Sequence, residues 1–266
     1  MTFTEHRHPN GVIFTTAPVI RARHCFSTRI GGVSTGYLSS LNLGSNRGDL
    51  PENVFRNYDL LGEAAGIPVR HMAFTKQVHG SVVRVATERD VHIFGTPVPY
   101  EADGLVTDVP GLALACFTAD CVPVLLCDST DGVIAAVHCG WRSSVADILR
   151  VAVEKMCALG AAQEHICAAI GPAISKCCFE VGAEVIEATE RYLDGDMAGL
   201  YVPEAGVEGK YFLDLKTANA RRLQQLGVCA EHISVSDECT MCLHEKYWSH
   251  RFTGGRRGSQ GALIVL

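Results

Sequence analysis

Two short apolar runs between Leu112 and Arg142 constrain this chain most. Leu112 to Phe117 leads into Thr118-Ala-Asp-Cys121, and Val133 to Val137 leads into His138-Cys-Gly-Trp-Arg142. Runs of five or six apolar residues bounded by polar residues and Gly read as buried strands, so each delivers a metal-capable side chain close to a strand end. Those side chains are Cys121 and His138. The apolar stretch from Val109 to Cys127 is cut by Asp120 and Pro123, which makes it too broken for a membrane span.

A third donor lies upstream in Lys76-Gln-Val-His-Gly80, between the short runs His71 to Phe74 and Val82 to Val85. Two His and one Cys form an incomplete zinc set. Three protein ligands leave the fourth position of a tetrahedral zinc open for water or substrate, whereas a structural site closes with four. If His79, Cys121 and His138 converge, the pattern therefore reads as catalytic. Asp120, beside Cys121, either orients a ligand through a carboxylate hydrogen bond or faces a loop.

In chain order, Val12 to Thr16 and His24 to Thr28 read as strands. Arg29 to Asp49 is Gly- and Ser-rich without helical or strand period, hence a long loop. Ordered loops of that length often carry function, which makes Arg29, Asn42 and Arg47 candidates for substrate contact. Pro51 to Ala65 reads as a helix with Pro51 in its first turn and Gly66 as its stop. His71 to Cys139 is mostly short β-rich runs broken by a loop at Gly95 to Pro99. Arg142 to Leu159 carries apolar residues at helical spacing, so Trp141 and Arg142 stand at a strand-to-helix junction, where backbone N–H groups suit an anion.

Beyond that helix, strand and helix alternate: Ile166 to Ile170, Gly182 to Tyr192, Lys210 to Leu213, Leu215 to Leu226 capped by Asp214, His232 to Ser236, and a last strand over Gly261 to Leu266. No repeat or linker interrupts the pattern, so residues 1–266 read as one domain. With 47% hydrophobic and 20% charged residues the chain is globular, and its net charge of −6 gives no general reason to expect nucleic acid. An anionic small molecule needs local arginines instead.

The sequence contains twelve Cys. Met1 to Asn10 shows no apolar segment of the secretory kind, so the thiols are expected to be reduced and the chain cytoplasmic. Most, such as Cys116 and Cys127, sit inside apolar runs as small core residues. Cys239-Thr-Met-Cys242 has C-x-x-C spacing, but no second pair follows it, and adjacent Cys177 and Cys178 cannot both point at one site in extended chain.

The motifs Phe26-Ser-Thr-Arg-Ile-Gly-Gly-Val-Ser34, Leu41-Asn-Leu-Gly44, Lys76-Gln-Val-His-Gly80, Ala102-Asp-Gly-Leu-Val106, Ala119-Asp-Cys-Val-Pro123, Val137-His-Cys-Gly-Trp-Arg142, Ile170-Gly-Pro172, Cys177-Cys-Phe-Glu-Val181 and Asp237-Glu-Cys-Thr240 occur in that order. Together they resemble the YfiH/YlmD-like laccase-domain proteins, also called multicopper polyphenol oxidase-like and described as purine nucleoside phosphorylases. The resemblance covers nearly the whole chain. It implies an α+β fold, a layered α/β/β/α sandwich with mixed β-sheets, of a kind grouped with deamidating toxins. It implies a single Zn²⁺, with Cu²⁺ as the alternative, on His79, Cys121 and His138, which are also the catalytic residues. It further implies substrate contacts from Arg29, Asn42, Arg47, Gln77, Trp141 and Arg142.

The activity so implied is phosphorolysis of adenosine, inosine, guanosine and methylthioadenosine, with adenosine deamination beside it. The expected partners are purine nucleosides and phosphate, with no nucleic acid and no membrane; monomer and dimer both stay open. Other readings are a cysteine hydrolase using Cys121 and His138, a polyphenol oxidase, and a factor that edits peptidoglycan precursors. A blue multicopper oxidase needs several His-x-His pairs, and this chain has only His6-Arg-His8. Three departures mark the chain off. Ser143 replaces the Gly that usually follows Gly-Trp-Arg, Phe252 stands after Arg251 where a second Arg is common, and Gly258-Ser-Gln260 stands for Gly-Arg-Gln.

Overall fold

The computed structural model describes residues 2–92, 96–98 and 100–266. One six-stranded sheet runs in the order Thr4–Arg7, Ile13–Thr16, Arg23–Ser27, Gln260–Val265, Ala113–Thr118 and Met72–Ala73. A second runs Ile233–Val235, Cys167–Ile170, Val122–Asp128, Val133–Cys139, Gly104–Thr107 and Val83–Val85. Both are mixed. The first is antiparallel up to its parallel last pair, and the second is antiparallel inside parallel outer pairs. A small antiparallel sheet of Glu180–Gly182, Lys210–Leu213 and Tyr201–Pro203 lies beyond them.

Strand alternation explains the layers, because successive side chains leave a sheet on opposite faces. Phe26, Leu114, Cys116, Ala262 and Ile264 of the first sheet meet Leu125, Cys127, Ile134, Ala136 and Ala169 of the second in one buried cluster. Their neighbours Cys25, Ala113, Ala115, Leu263 and Val265 face the other way, onto Val54, Tyr58 and Leu61 of helix Pro51–Ala65. Val124, Leu126, Ala135, Val137 and Ile170 point outward from the second sheet onto Leu149 and Val153 of helix Ile148–Ala158 and Leu223 of helix Leu215–Gln225. The result is an α/β/β/α sandwich. Its central strands are buried on both faces, which is why they read as continuous apolar runs rather than alternating ones.

Two local differences from the sequence reading stand out. The periodic stretch from Arg142 to Leu159 is two helices, Trp141–Val145 and Ile148–Ala158. They are separated at Asp147, whose φ of 61° leaves the helical region and whose carboxylate receives Arg222 Nε at 2.9 Å. Thr4–Arg7 is an edge strand with mostly exposed side chains, so it had no apolar signature. Gly95 and Pro99 of the expected loop lie outside the described residues. No helix among the described residues is long and apolar enough to cross a membrane.

Candidate active site

The chain crosses from one sheet to the other twice at the same end of the sandwich, and both crossings carry a donor. Cys121 sits on the step from strand Ala113–Thr118 to strand Val122–Asp128. His79 sits on the passage from Met72–Ala73 to Val83–Val85. His138 comes from strand Val133–Cys139, opposite Pro123 in the antiparallel register. The ligand-capable atoms of His79, Cys121 and His138 lie within 4.8 Å of one another. Cys121 Sγ is 3.8 Å from His79 Nε2, and the two imidazole rings meet edge to face with centroids 4.8 Å apart. A Cβ on Gly140 would stand 2.9 Å from His79 Cδ2 and 3.4 Å from Cys121 Sγ, so only glycine leaves the cluster its room.

Asp103 organises this cluster. Its buried carboxylate accepts from the backbone N–H groups of Val78 at 3.1 Å, His79 at 2.9 Å and Gly80 at 2.8 Å, and from His138 Nδ1 at 2.7 Å. Burial opposes its ionisation, but the bond to His138 and the backbone donors outweigh that and hold the carboxyl below its ordinary range. The same bonds hold His79 in a left-handed conformation, φ 62°, which His adopts more readily than most residues. With Nδ1 bound to Asp103, His138 turns Nε2 toward the cluster, the arrangement by which carboxylates orient metal-binding imidazoles.

Burial alone would raise the Cys121 thiol. The charge and hydrogen bond of His138, and the hydrogen bond of His79, bring it down to about 6 instead. Burial likewise opposes charge on His138, but the Cys121 thiolate and Asp103 lift it to about 9. Each partner thus favours the charged form of the other, a thiolate beside an imidazolium, and a bound cation would take the imidazolium proton's place. Two His nitrogens and a thiolate are borderline-soft donors suited to zinc and also to copper. Both His79 and His138 open into a cleft of about 630 Å³.

That cleft separates the proposed substrate residues. Arg47 and Gln77 line it, together with Arg257, which sequence reasoning passed over. Arg29, Asn42, Trp141 and Arg142 are not among its lining residues. Arg29 donates to the carbonyls of Ser39 and His244 and lies over the Trp248 ring. Asn42 is buried, accepting from Gly44 N at 2.9 Å and Ser259 N at 3.0 Å. Gln77 extends the sheet edge by exchanging two 2.7 Å bonds with the backbone of Phe117. Trp141 packs on the outer core, and exposed Arg142 lies over the Trp141 ring, 4.3 Å from its centroid, on a helix of only five residues.

Asp120 takes the second of its two readings. It accepts from Thr240 Oγ1 at 2.6 Å, Ser249 Oγ at 3.1 Å and Arg251 N at 2.6 Å, tying Cys121 to the C-terminal loops. Arg257 shows what those loops bring. Its Nη1 donates to Ser259 Oγ at 2.8 Å, and burial together with the neighbouring charge of Arg47 lowers its pKa to about 10. Burial lowers Arg47 as well, so two partly desolvated guanidinium groups face the same cleft. His6 stacks on Phe14, and neither it nor His8 joins a cluster of metal-capable groups among the described residues.

The family model described as multi-copper polyphenol oxidoreductase laccase matches residues 23–266. The chain belongs to this family. Its members include a relative named purine nucleoside phosphorylase from Deinococcus radiodurans, 39% identical over 96% of this chain and 94% of that one. An adenosine deaminase named RL5, from an unknown prokaryotic organism, is 35% identical over 91% of this chain and 93% of its own length. The crystal structure of YlmD from Geobacillus stearothermophilus superposes with a TM-score of 0.89 at 32% identity, covering 98% of both chains.

Proposed function

We propose that this laccase-domain protein is a zinc-dependent purine nucleoside phosphorylase, acting on adenosine, inosine, guanosine and methylthioadenosine, with adenosine deaminase activity beside it. The observation that carries the reading is that His79 and His138 of the His79–Cys121–His138 cluster open into the same cleft as Arg47 and Arg257. A volume of about 630 Å³ suits a nucleoside with phosphate. Tyr58, Phe74 and Phe117 line the same cleft and offer an apolar face for a purine. The names of the Deinococcus and RL5 relatives agree with the two activities.

Phosphorolysis breaks the bond from C1′ to the base while positive charge develops on the sugar, and phosphate oxygen takes the base's place. In this cleft Arg47 and Arg257 hold the phosphate, and their charge fixes its orientation toward C1′. The aromatic wall keeps the base dry and planar. Zinc on His79, Cys121 and His138 would supply a Lewis acid, with Asp103 holding the His138 imidazole in place. Free thiols at all twelve cysteines fit a reducing compartment such as the cytoplasm.

One observation favours a second reading: Cys121 is held down to about 6 beside His138, as in a cysteine hydrolase. The two readings part on metal dependence. Inosine and adenosine turnover is measured on the purified protein, after chelator treatment, and after zinc is returned. The phosphorylase reading expects activity to vanish and come back. Turnover that survives chelation and dies on thiol alkylation would establish the hydrolase instead.

A further inference from the structure

Four cysteines outside the cleft come together from two distant segments. Cys177 and Cys178 lie on a turn after Ser175, where Cys178 N and Phe179 N both donate to the Ser175 carbonyl at 2.9 Å. Cys239 and Cys242 lie on the turn that opens the C-terminal loops, where Leu243 N donates to the Cys239 carbonyl at 2.9 Å. A parallel bridge between Ala173 and Cys239, with Thr240 N donating to the Ala173 carbonyl at 3.1 Å, brings the two turns side by side. The four Sγ atoms lie within 4.8 Å of one another. Cys242 Sγ is 3.6 Å from Cys177 Sγ and 3.4 Å from Cys178 Sγ.

We propose that Cys177, Cys178, Cys239 and Cys242 form a second, structural metal site that binds zinc through four thiolates. A tetrahedral zinc with bonds of about 2.3 Å sets its sulfurs roughly 3.8 Å apart, close to the spacing already present. Four soft donors and no open position select a structural zinc rather than a catalytic one. Burial and the neighbouring thiols raise Cys177 to about 11 and push Cys178 up, a mutual repulsion that a bound cation would relieve, whereas Cys239 is already set up as an anion. Cys239 Sγ accepts from Ser175 N at 3.4 Å, and further backbone N–H groups at Met241 and Cys242 help to hold its thiol down to about 7 against burial. Binding moves no electrons: each thiol releases its proton to solvent and its sulfur donates a lone pair to the cation.

The site has a structural task. Ile174 N donates to the Asp120 carbonyl at 3.0 Å, and Thr240 Oγ1 donates to the Asp120 carboxylate at 2.6 Å. The two turns that carry the four thiols therefore also clamp the residue next to Cys121. Cross-linking them fixes that loop pair without entering the cleft, whose lining includes none of the four cysteines.

Elemental analysis of protein prepared with zinc under reducing conditions tests the site. The expected result is that Cys242→Ser and Cys177→Ser, both at exposed positions, each bind one zinc fewer per chain than the wild type. His79→Ala should keep the zinc that these variants lose. Equal zinc in the wild type and both cysteine variants would overturn the site. If the variants do not fold, Co²⁺ loading of the intact chain decides instead. Intense thiolate-to-cobalt charge-transfer bands of a four-sulfur site support the proposal, and bands of the mixed His/Cys site alone refute it. A disulfide within the cluster in protein isolated anaerobically with reductant refutes it as well.

Discussion

The His79–Cys121–His138 cluster and the four-cysteine cluster are both linked to Asp120, one along the chain and the other through Ile174 and Thr240, yet they are built differently. The first has three donors of two kinds, an aspartate behind His138, and one side open to a cleft with two arginines. The second has four donors of one kind that contact one another, with backbone N–H groups behind Cys239. An open side is what a substrate needs. Four sulfurs in contact are what a zinc that ties loops together needs, and the proposed roles, chemistry for the first cluster and rigidity for the second, follow that difference.

Variants of the two clusters should therefore separate turnover from stability. The largest loss is expected for His138→Ala, which removes a donor and strands the buried Asp103 carboxylate. Nucleoside turnover should fall by more than about a hundredfold, beyond what loss of an orienting residue costs. Asp103→Asn leaves all three donors in place, and a drop of about ten- to a hundredfold in metal affinity, read by competition with a chelator, is expected. Gly140→Ala tests the room in the cluster, because its new methyl carbon would lie 2.9 Å from His79 Cδ2. Zinc content at the first site should fall while the four-cysteine cluster is untouched.

Arginine variants sharpen the same contrast at smaller scale. Arg257→Ala should lower phosphorolysis by about ten- to a hundredfold, the loss of a charged hydrogen bond of roughly 1.5 to 3 kcal/mol, with a raised KM for phosphate. Deamination of adenosine uses no phosphate and should fall less. Arg142→Ala, exposed and outside the cleft lining, should keep phosphorolysis within about threefold of wild type, an effect below roughly 0.7 kcal/mol. Steady-state kinetics with varied phosphate reads both. A loss in Arg142→Ala equal to that in Arg257→Ala would remove the cleft from the account.

Much of the architecture was legible because it rests on local signals. Helix Pro51–Ala65 has Pro51 at its start and Gly66 in a left-handed cap, and its bounds agree with the sequence reading. The same holds for strand Lys210–Leu213 and for the Asp214 cap, which accepts from Thr217 N. What escaped depends on distant contacts. Arg222 pairs with Asp147 from another helix, and no periodicity announces the break there.

The convergence of His79, Cys121 and His138 was legible through their motifs, although Asp103 stood in a quoted motif without a role. Its neighbour in chemistry, Asp120, is the more obvious carboxylate beside a ligand, yet strand register places Asp103 and not Asp120 against His138. Arg257 was hidden because the usual arginine two positions later is Ser259 here. The structure shows Arg257 Nη1 donating to Ser259 Oγ, so the guanidinium enters the cleft from a different backbone position. In extended chain the adjacent Cys177 and Cys178 side chains would point apart. They lie on a turn instead, and both thiols reach Cys242.

The most direct test of the central claim is the phosphate dependence of inosine cleavage by the zinc-loaded protein. Hypoxanthine and ribose 1-phosphate should appear together, in equal amounts, only when phosphate is present, and the rate should saturate with phosphate. Hypoxanthine released at the same rate without phosphate, with free ribose as the second product, would contradict the account and make the protein a hydrolase.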